Sequence, residues 1–269
     1  MPGQRSIVPL LPAQQMMLAA TLKRDPGTYV QQLAFQVNGT DWAAIQTALT
    51  KLIGAYEGFR SVVLHEGLKQ AVWVCSESTY PTIKTHTASD GTETELLQGI
   101  RQMGFVIQKE PCIRFDWIET TSRNILAITN HHLLFDGWGK QQLLRDFMRL
   151  VEHPQHFLPE KLNRQWYDGW SKLDHGAAIQ AYSEYVQPFS STADLTTHPS
   201  DVNENGVVTC DIPRLRLDKW ARKWGLTPAE AMNFVWACFV SEWTQEPHVQ
   251  FGVVKQTGLL SSLPNDFGL

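Results

Sequence analysis

No stretch of this 269-residue chain is apolar for long enough to cross a bilayer. Its longest apolar run, Phe234–Val240, falls far below the roughly 20 residues a spanning helix needs. Residues 1–20 lack the basic start and apolar centre of a signal peptide, so the expected compartment is the cytosol. Basic clusters are missing as well: 23 Lys and Arg stand against 27 Asp and Glu, a net charge of −4. That excludes a protein that tracks nucleic-acid phosphates along a basic face. The four cysteines, Cys75, Cys112, Cys210 and Cys238, include no CxxC pair, which removes zinc knuckles and thioredoxin-like redox motifs. Cys238 lies inside NFVWACFV, where a buried small hydrophobe is expected. The chain has no GxSxG elbow and no GxxxxGK[ST] loop, so neither a serine hydrolase nor phosphate-loop nucleotide chemistry is on offer.

What is present is a globular composition. With 43% hydrophobic and 19% charged residues, the chain can bury one large core or two small ones, and disorder is excluded as its main state. Of ten Trp, several (Trp166, Trp170, Trp220, Trp224, Trp236 and Trp243) sit in helix-like stretches and are expected to pack.

The pattern along the chain alternates strands and helices. Tyr29–Val37 reads as a strand. After Asn38-Gly39, apolar Trp42, Ile45, Leu49, Leu52 and Ile53 recur at helical spacing, with Thr40 or Asp41 as the cap. Short β-prone runs follow at Ser61–Leu64 and Gln70–Cys75, then a helix near Glu93–Met103, then strands at Ile113–Ile118 and Asn124–Asn130. A further helical pattern fills WGKQQLLRDFMRLVE, and another runs from about Asn163 to Val186. The polar segment SSTADLTTHPSDVNENG then reads as a linker. Beyond it come a strand (Val207–Ile212), a helix (Arg214–Trp224), a helix (Pro228–Trp243) and a strand (Val249–Val254). Thr227, Pro228 and Glu230 form a capping box for the second of those helices.

Chemistry concentrates where the strand NILAITN runs into HHLLFDGWG. A His at a strand end can be presented to a cavity, and imidazole suits proton transfer near neutrality. Alternation sends His131 and His132 to opposite faces, so only one can serve a given site. Gly137 permits a sharp turn into the next helix, and that turn offers backbone N–H groups to a developing oxyanion. In isolation, two His and an Asp at such a turn read more readily as hydrogen-bonded packing residues, because short motifs match often by chance. A metal reading would use His131, His132, His153 and His156, but no Cys or carboxylate completes a ligand set, and no metal is expected.

The flanking sequence favours chemistry. Asn130 to Gly139, followed by QQLLRDF, resembles the HHxxxDGWS signature of condensation domains of nonribosomal peptide synthetases. Further segments resemble that family in the right order: LLPAQQMMLAA (Leu10–Ala20), EGFRSVV (Glu57–Val63, with Arg60 at the Arg of the family's LRT), GFVIQKEPCIRFDWIE, RQWYDGWSKLD, and LTPAEAMNFVWACFV with VQFGVV. Gln256-Thr257-Gly258 departs from the family's SGR.

The resemblance implies an α/β (α+β) fold of chloramphenicol-acetyltransferase-like two-layer lobes. The first lobe is expected to span 1–190, with a linker at 191–206. A partial, truncated second lobe takes up 207–269. It implies amide formation between a donor acyl or peptidyl thioester and an acceptor amine. No cofactor is bound in such a domain; both substrates ride on phosphopantetheine arms of carrier proteins, within or beside the remainder of a synthetase. By resemblance His132 is catalytic, by removing a proton or by orienting the amine. His131, Asp136, Gly137, Arg60 and Trp138 support it, with Asp136 pairing to Arg60 to hold the His loop. YVQQ and HHLLFDGW look closest to domains that take an L-configured donor. The competing readings are a stand-alone HxxxD acyltransferase using a soluble donor or acceptor, and a non-catalytic docking fragment.

Overall fold

In the computed structural model, residues 6–39, 41–186 and 209–253 are described. They fall into two units, one ending at Leu173 and the other spanning Asp174–Lys255. The first unit carries strands β1 (Ser6–Pro9), β2 (Val30–Val37), β3 (Ser61–Leu64), β4 (Val72–Cys75), β5 (Thr82–Thr87), β6 (Ile113–Glu119) and β7 (Asn124–His131). Its helices are α1 (Pro12–Lys23), α2 (Trp42–Ala55), α3 (Glu93–Gln102), α4 (Gly137–Glu152) and α5 (Asn163–Ser171).

Two sheets form, a small one in the order β1-β4-β3 and a four-stranded one in the order β2-β7-β6-β5. In the larger sheet β7 pairs antiparallel with both neighbours, setting Val30 opposite His131 and Ile113 opposite Asn130. β5 runs parallel to β6, which its connection through α3 allows, since parallel neighbours need a long crossover. β7 is buried along nearly its whole length. That matches its unbroken apolar text, as expected for a strand covered on both faces.

One core lies between this sheet and helices α2 and α4. Phe115, Trp117, Leu126 and Ile128 from the strands meet Ile45, Leu49 and Leu52 of α2 and Leu143, Phe147 and Leu150 of α4. Trp42 stacks on Trp117 with ring centroids 4.9 Å apart. The cap of α2 is Asp41, whose Oδ1 accepts the Ala44 N–H at 2.7 Å. Each such buried aliphatic or aromatic side chain contributes about 1.5–3 kcal/mol relative to exposure, so this core fixes how β7 and α4 approach each other.

The helical pattern expected from Asn163 to Val186 is two helices, α5 and α6 (His175–Val186). The break falls where Asp174 Oδ1 takes the Ala177 N–H at 2.9 Å and starts a new helix, since Asp competes for backbone donors and favours caps. In the second unit α7 (Arg214–Lys223) and α8 (Pro228–Thr244) lie where periodicity places them. Thr227 and Glu230 form the expected capping box. Residues 209–212 and 249–253 are not strands; the rest of both expected strands, the 191–206 linker and Gln256-Thr257-Gly258 lie outside the described residues.

Cys238 is exposed rather than buried. Trp220, Trp224, Trp236 and Trp243 are exposed too, as are Phe234 and Phe239. The physical reason is that α8 is apolar around much of its girth, while only Ala231 and Val240 of that helix are buried among the described residues. None of the described helices is long and apolar enough to cross a membrane.

Candidate active site

His131 is the last residue of β7, and its backbone N–H donates to the Cys112 carbonyl at 2.9 Å. Its ring is 1% exposed and both nitrogens are engaged. Nδ1 accepts the Leu133 N–H at 3.0 Å, which puts the ring proton on Nε2, facing the Thr21 hydroxyl at 2.9 Å. Burial, reinforced by neighbouring His132, pushes its pKa down to about 4. A neutral, fully partnered imidazole of this kind holds structure and has no lone pair left for a substrate.

His132 differs in each respect. It is half-buried, and Nδ1 faces the Phe135 carbonyl at 3.1 Å. A carbonyl only accepts, so Nδ1 carries a proton, and in the neutral ring Nε2 carries the lone pair. That second nitrogen has no hydrogen-bond partner among the described residues. The Phe135 carbonyl thereby orients the ring in the way a partner on one imidazole nitrogen prepares the other as a base.

Asp136 caps α4. Its Oδ1 accepts the N–H groups of Trp138 and Gly139, both at 2.9 Å, while its carbonyl accepts the Lys140 N–H at 3.0 Å. Burial raises the pKa of this carboxyl, and the hydrogen bonds from Gly139 and Trp138 oppose the shift. Of the N–H groups from Gly137 to Lys140, that of Gly137 alone has no partner among the described residues. The others, read from sequence as free for an oxyanion, are consumed by the cap. The Trp138 indole stands 48% exposed in the first turn.

The expected Asp136–Arg60 pair does not form. The Arg60 guanidinium leaves the 3-10 turn Glu57–Arg60 toward the segment after α4, bonding Glu160 Oε1 at 3.1 Å and the Gly54 carbonyl at 3.3 Å. It lines a depression of about 670 Å³ together with Lys51, His156 and Glu160. The cause is local: the carboxylate of Asp136 is already bound to two helix donors, a stronger claim on it than sequence spacing can show. His153 and His156 lie beyond α4, joined by the His156 N–H to the His153 carbonyl at 2.8 Å. Among the described residues, no three His, Cys, Asp or Glu side chains assemble into a metal-holding group.

Three residues at the site escaped the sequence reading of roles. Tyr29 precedes β2 with φ of 60°, and its carbonyl accepts the His132 N–H at 2.8 Å. Its ring lies 6.2 Å from that of His131 and 6.4 Å, edge-on, from that of His132. From α1, Gln14 Nε2 donates to the Leu133 carbonyl at 3.0 Å, and Thr21 meets His131 as described. Contacts across more than a hundred residues leave no local signal, and the resemblance carried by LLPAQQMMLAA does not indicate them.

The family model described as the condensation domain matches residues 4–257. The chain is 22% identical over 268 residues to gramicidin S synthase 2 of Aneurinibacillus migulanus, covering 91% of this chain and 6% of that protein. It is 23% identical over 272 residues to bacitracin synthase 3 of Bacillus licheniformis, covering 92% and 4%. The chain thus spans only a small part of the curated relatives it matches. Among solved structures, the condensation domain of a monacolin K polyketide synthase is similar with a TM-score of 0.67 at 13% identity, covering 91% of this chain and 61% of that one. The epimerization domain from the third module of a tyrocidine synthetase gives 0.71 at 16% identity, covering 90% and 60%. Both confirm the chloramphenicol-acetyltransferase-like α/β fold expected from sequence.

Proposed function

The chain belongs to the condensation-domain family, and from that premise we propose that it joins a donor acyl or peptidyl thioester to an acceptor amine, both presented on phosphopantetheine arms of carrier proteins. The single observation that supports this reading best is the state of His132. The ring is held at Nδ1 by the Phe135 carbonyl, which leaves Nε2 as the nitrogen turned away from that anchor and without a partner among the described residues.

In the proposed reaction the amine nitrogen attacks the thioester carbonyl carbon, the C–N bond forms, and the C–S bond breaks to release the donor thiol. The amine proton passes to His132 Nε2, or is oriented by it, and ends on the departing thiolate. Gly137 offers the N–H that has no partner among the described residues to the oxyanion of the tetrahedral state. Asp136 serves by capping α4, His131 by holding the turn, and Trp138 by lining the open side of that turn. Arg60 supports the 3-10 turn through Glu160, away from the Asp136 cap. The partners in this reading are donor and acceptor carrier proteins and the remainder of a synthetase, with no resident cofactor required. The lobe division proposed is 1–190, a linker at 191–206, and part of a second lobe at 207–269.

The test loads donor and acceptor carrier proteins and follows amide product with the polypeptide that contains this domain. The expected result is product with the unaltered protein and none with His132→Ala, at equal folded content. Near-normal product from that variant would remove His132 from the chemistry. Turnover with a soluble acyl donor and none with carriers would favour a stand-alone acyltransferase. Solvent hydrogen entering the donor α-position without amide formation would show epimerisation instead.

A further inference from the structure

The residue that follows His132 is held to helix α1 by both of its backbone groups. The Leu133 carbonyl accepts from Gln14 Nε2 at 3.0 Å, and Gln14 is itself fixed because its Oε1 accepts the Leu11 N–H at 2.9 Å. The Leu133 N–H reaches α1 indirectly, by donating to His131 Nδ1 at 3.0 Å. His131 Nε2 then lies 2.9 Å from Thr21 Oγ1, and that hydroxyl donates to the Met17 carbonyl at 2.8 Å. All three donors in this relay point the same way, from the loop into α1. Because the Thr21 proton is committed to Met17, its oxygen can only accept from the ring. Because His131 Nδ1 accepts from the loop, the ring can only carry its proton on Nε2. The relay therefore has one self-consistent arrangement of protons.

We propose that Thr21 is a positioning residue: its hydroxyl accepts from His131 Nε2–H and so, together with the Leu133 N–H on Nδ1, holds the ring in one tautomer, and through that ring it fixes the backbone on which His132 is carried. Were the proton to move to Nδ1, that nitrogen would confront the Leu133 N–H donor against donor, and the loop after His132 would lose one of its two ties to α1. A buried imidazole N–H left without an acceptor carries the full desolvation penalty of that group. Geometry for proton transfer tolerates little displacement, so a loop shifted by a fraction of an ångström lowers turnover without altering how substrate arms bind. The activity part of this inference rests on the function proposed above; the tautomer part stands on its own.

The experiment combines nitrogen NMR of the imidazole rings with kinetics on Thr21→Val and Thr21→Ser. In the unaltered protein His131 is expected as the neutral Nε2–H form at pH 7; an Nδ1–H form there overturns the proposal without any variant. Thr21→Val, close in shape but without the hydroxyl, is expected to lose the exclusive Nε2–H signature. Its kcat should fall by roughly tenfold or more while KM changes by less than about twofold. Thr21→Ser restores the hydroxyl and should recover both the tautomer and kcat to within about threefold. A folded Thr21→Val protein that keeps the Nε2–H form and normal kcat overturns the proposal, as does a folded Thr21→Ser protein that recovers neither. If the unaltered protein forms no amide, the function reading fails, and the tautomer and its response to the two substitutions still decide the role of Thr21.

Discussion

The carbonyl of Tyr29 accepts the backbone N–H of His132 at 2.8 Å while Tyr29 itself sits at φ of 60°. An aromatic residue in the left-handed region is uncommon and costs about 1–2 kcal/mol. Here that conformation turns the chain out of the Asp25–Thr28 bend and into β2, so that the β2–β7 ladder is extended by one hydrogen bond to the residue after His131. Close packing reinforces the bend from the other side. Gly104, at φ of 63°, lies so near Pro26 that a Cβ there would collide with the Pro26 carbonyl.

This relationship separates backbone from ring. Tyr29→Gly accepts the positive φ without strain and should change stability by no more than about 1 kcal/mol, while deleting the ring beside both His. Tyr29→Val forces a β-branched residue into the same conformation and should lose roughly 1–3 kcal/mol. Denaturant unfolding of the two variants measures the difference. Equal stability of Val and Gly at this position would show that the left-handed turn is not maintained in solution.

The cap on α4 leads to a second expectation. Asp136→Ala leaves the Trp138 and Gly139 donors without their carboxylate and should cost about 0.5–2 kcal/mol, while Asp136→Asn, which still accepts, should recover most of it. Since Arg60 bonds Glu160 and Gly54 instead, the losses from Arg60→Ala and Asp136→Ala should add to within about 0.5 kcal/mol in the double variant. A coupling well above that in a double-mutant cycle would restore the direct ion pair.

What was legible in the sequence is what depends on neighbours a few residues apart. The periodicity of α2, α4, α7 and α8, the Asp41 cap, the Thr227–Glu230 box and the strand that delivers His131 and His132 all follow from local pattern. β1 and β5 did not show: SIVP is four residues ending in Pro, and TIKTHT is polar in text because much of it stays exposed. The roles of Tyr29, Gln14 and Thr21 depend on contacts that only the folded chain makes. The expected Arg60–Asp136 pair failed for a related reason. Spacing names the residues that can meet and says nothing of the helix donors and the Glu160 carboxylate that reach them first.

Behind α4 lies a buried ionic group that orients the helix on the core. Asp146, 1% exposed, accepts from Tyr56 Oη at 2.6 Å and Gln142 Nε2 at 2.9 Å, and its Oδ2 lies 3.2 Å from Lys161 Nζ. Asp146→Ala should be costly, roughly 3–5 kcal/mol, because it removes one partner of a buried ion pair together with the acceptor that Tyr56 and Gln142 share. Tyr56→Phe removes one charge-assisted hydrogen bond and should cost about 1.5–3 kcal/mol. Thermal or denaturant unfolding checks both. An Asp146→Ala protein as stable as Tyr56→Phe would mean that Lys161 escapes to solvent when its partner is removed.

The depressed pKa of His131 sets a dependence of stability on pH whose sign is fixed. An imidazole in the unfolded chain takes up a proton near pH 6.5, whereas folded His131 resists until about pH 4 because burial, and then the neighbouring His132, disfavour its charged form. Between these values the unfolded state binds the extra proton, so stability rises with pH across that window. Above about pH 6.5 both states are neutral and the full stability is present. As the pH falls toward 4, on the order of 3 kcal/mol is lost from this group. Substituting His131→Asn keeps a side chain that can accept the Leu133 N–H but does not titrate. Denaturant unfolding of both proteins from pH 4 to 8 should therefore show a steeper decline on the acid side for the unaltered chain, with the two curves parallel above pH 7. Curves that stay parallel throughout would mean that His131 titrates as an ordinary exposed imidazole and that its bonds to Leu133 and Thr21 do not hold the ring neutral.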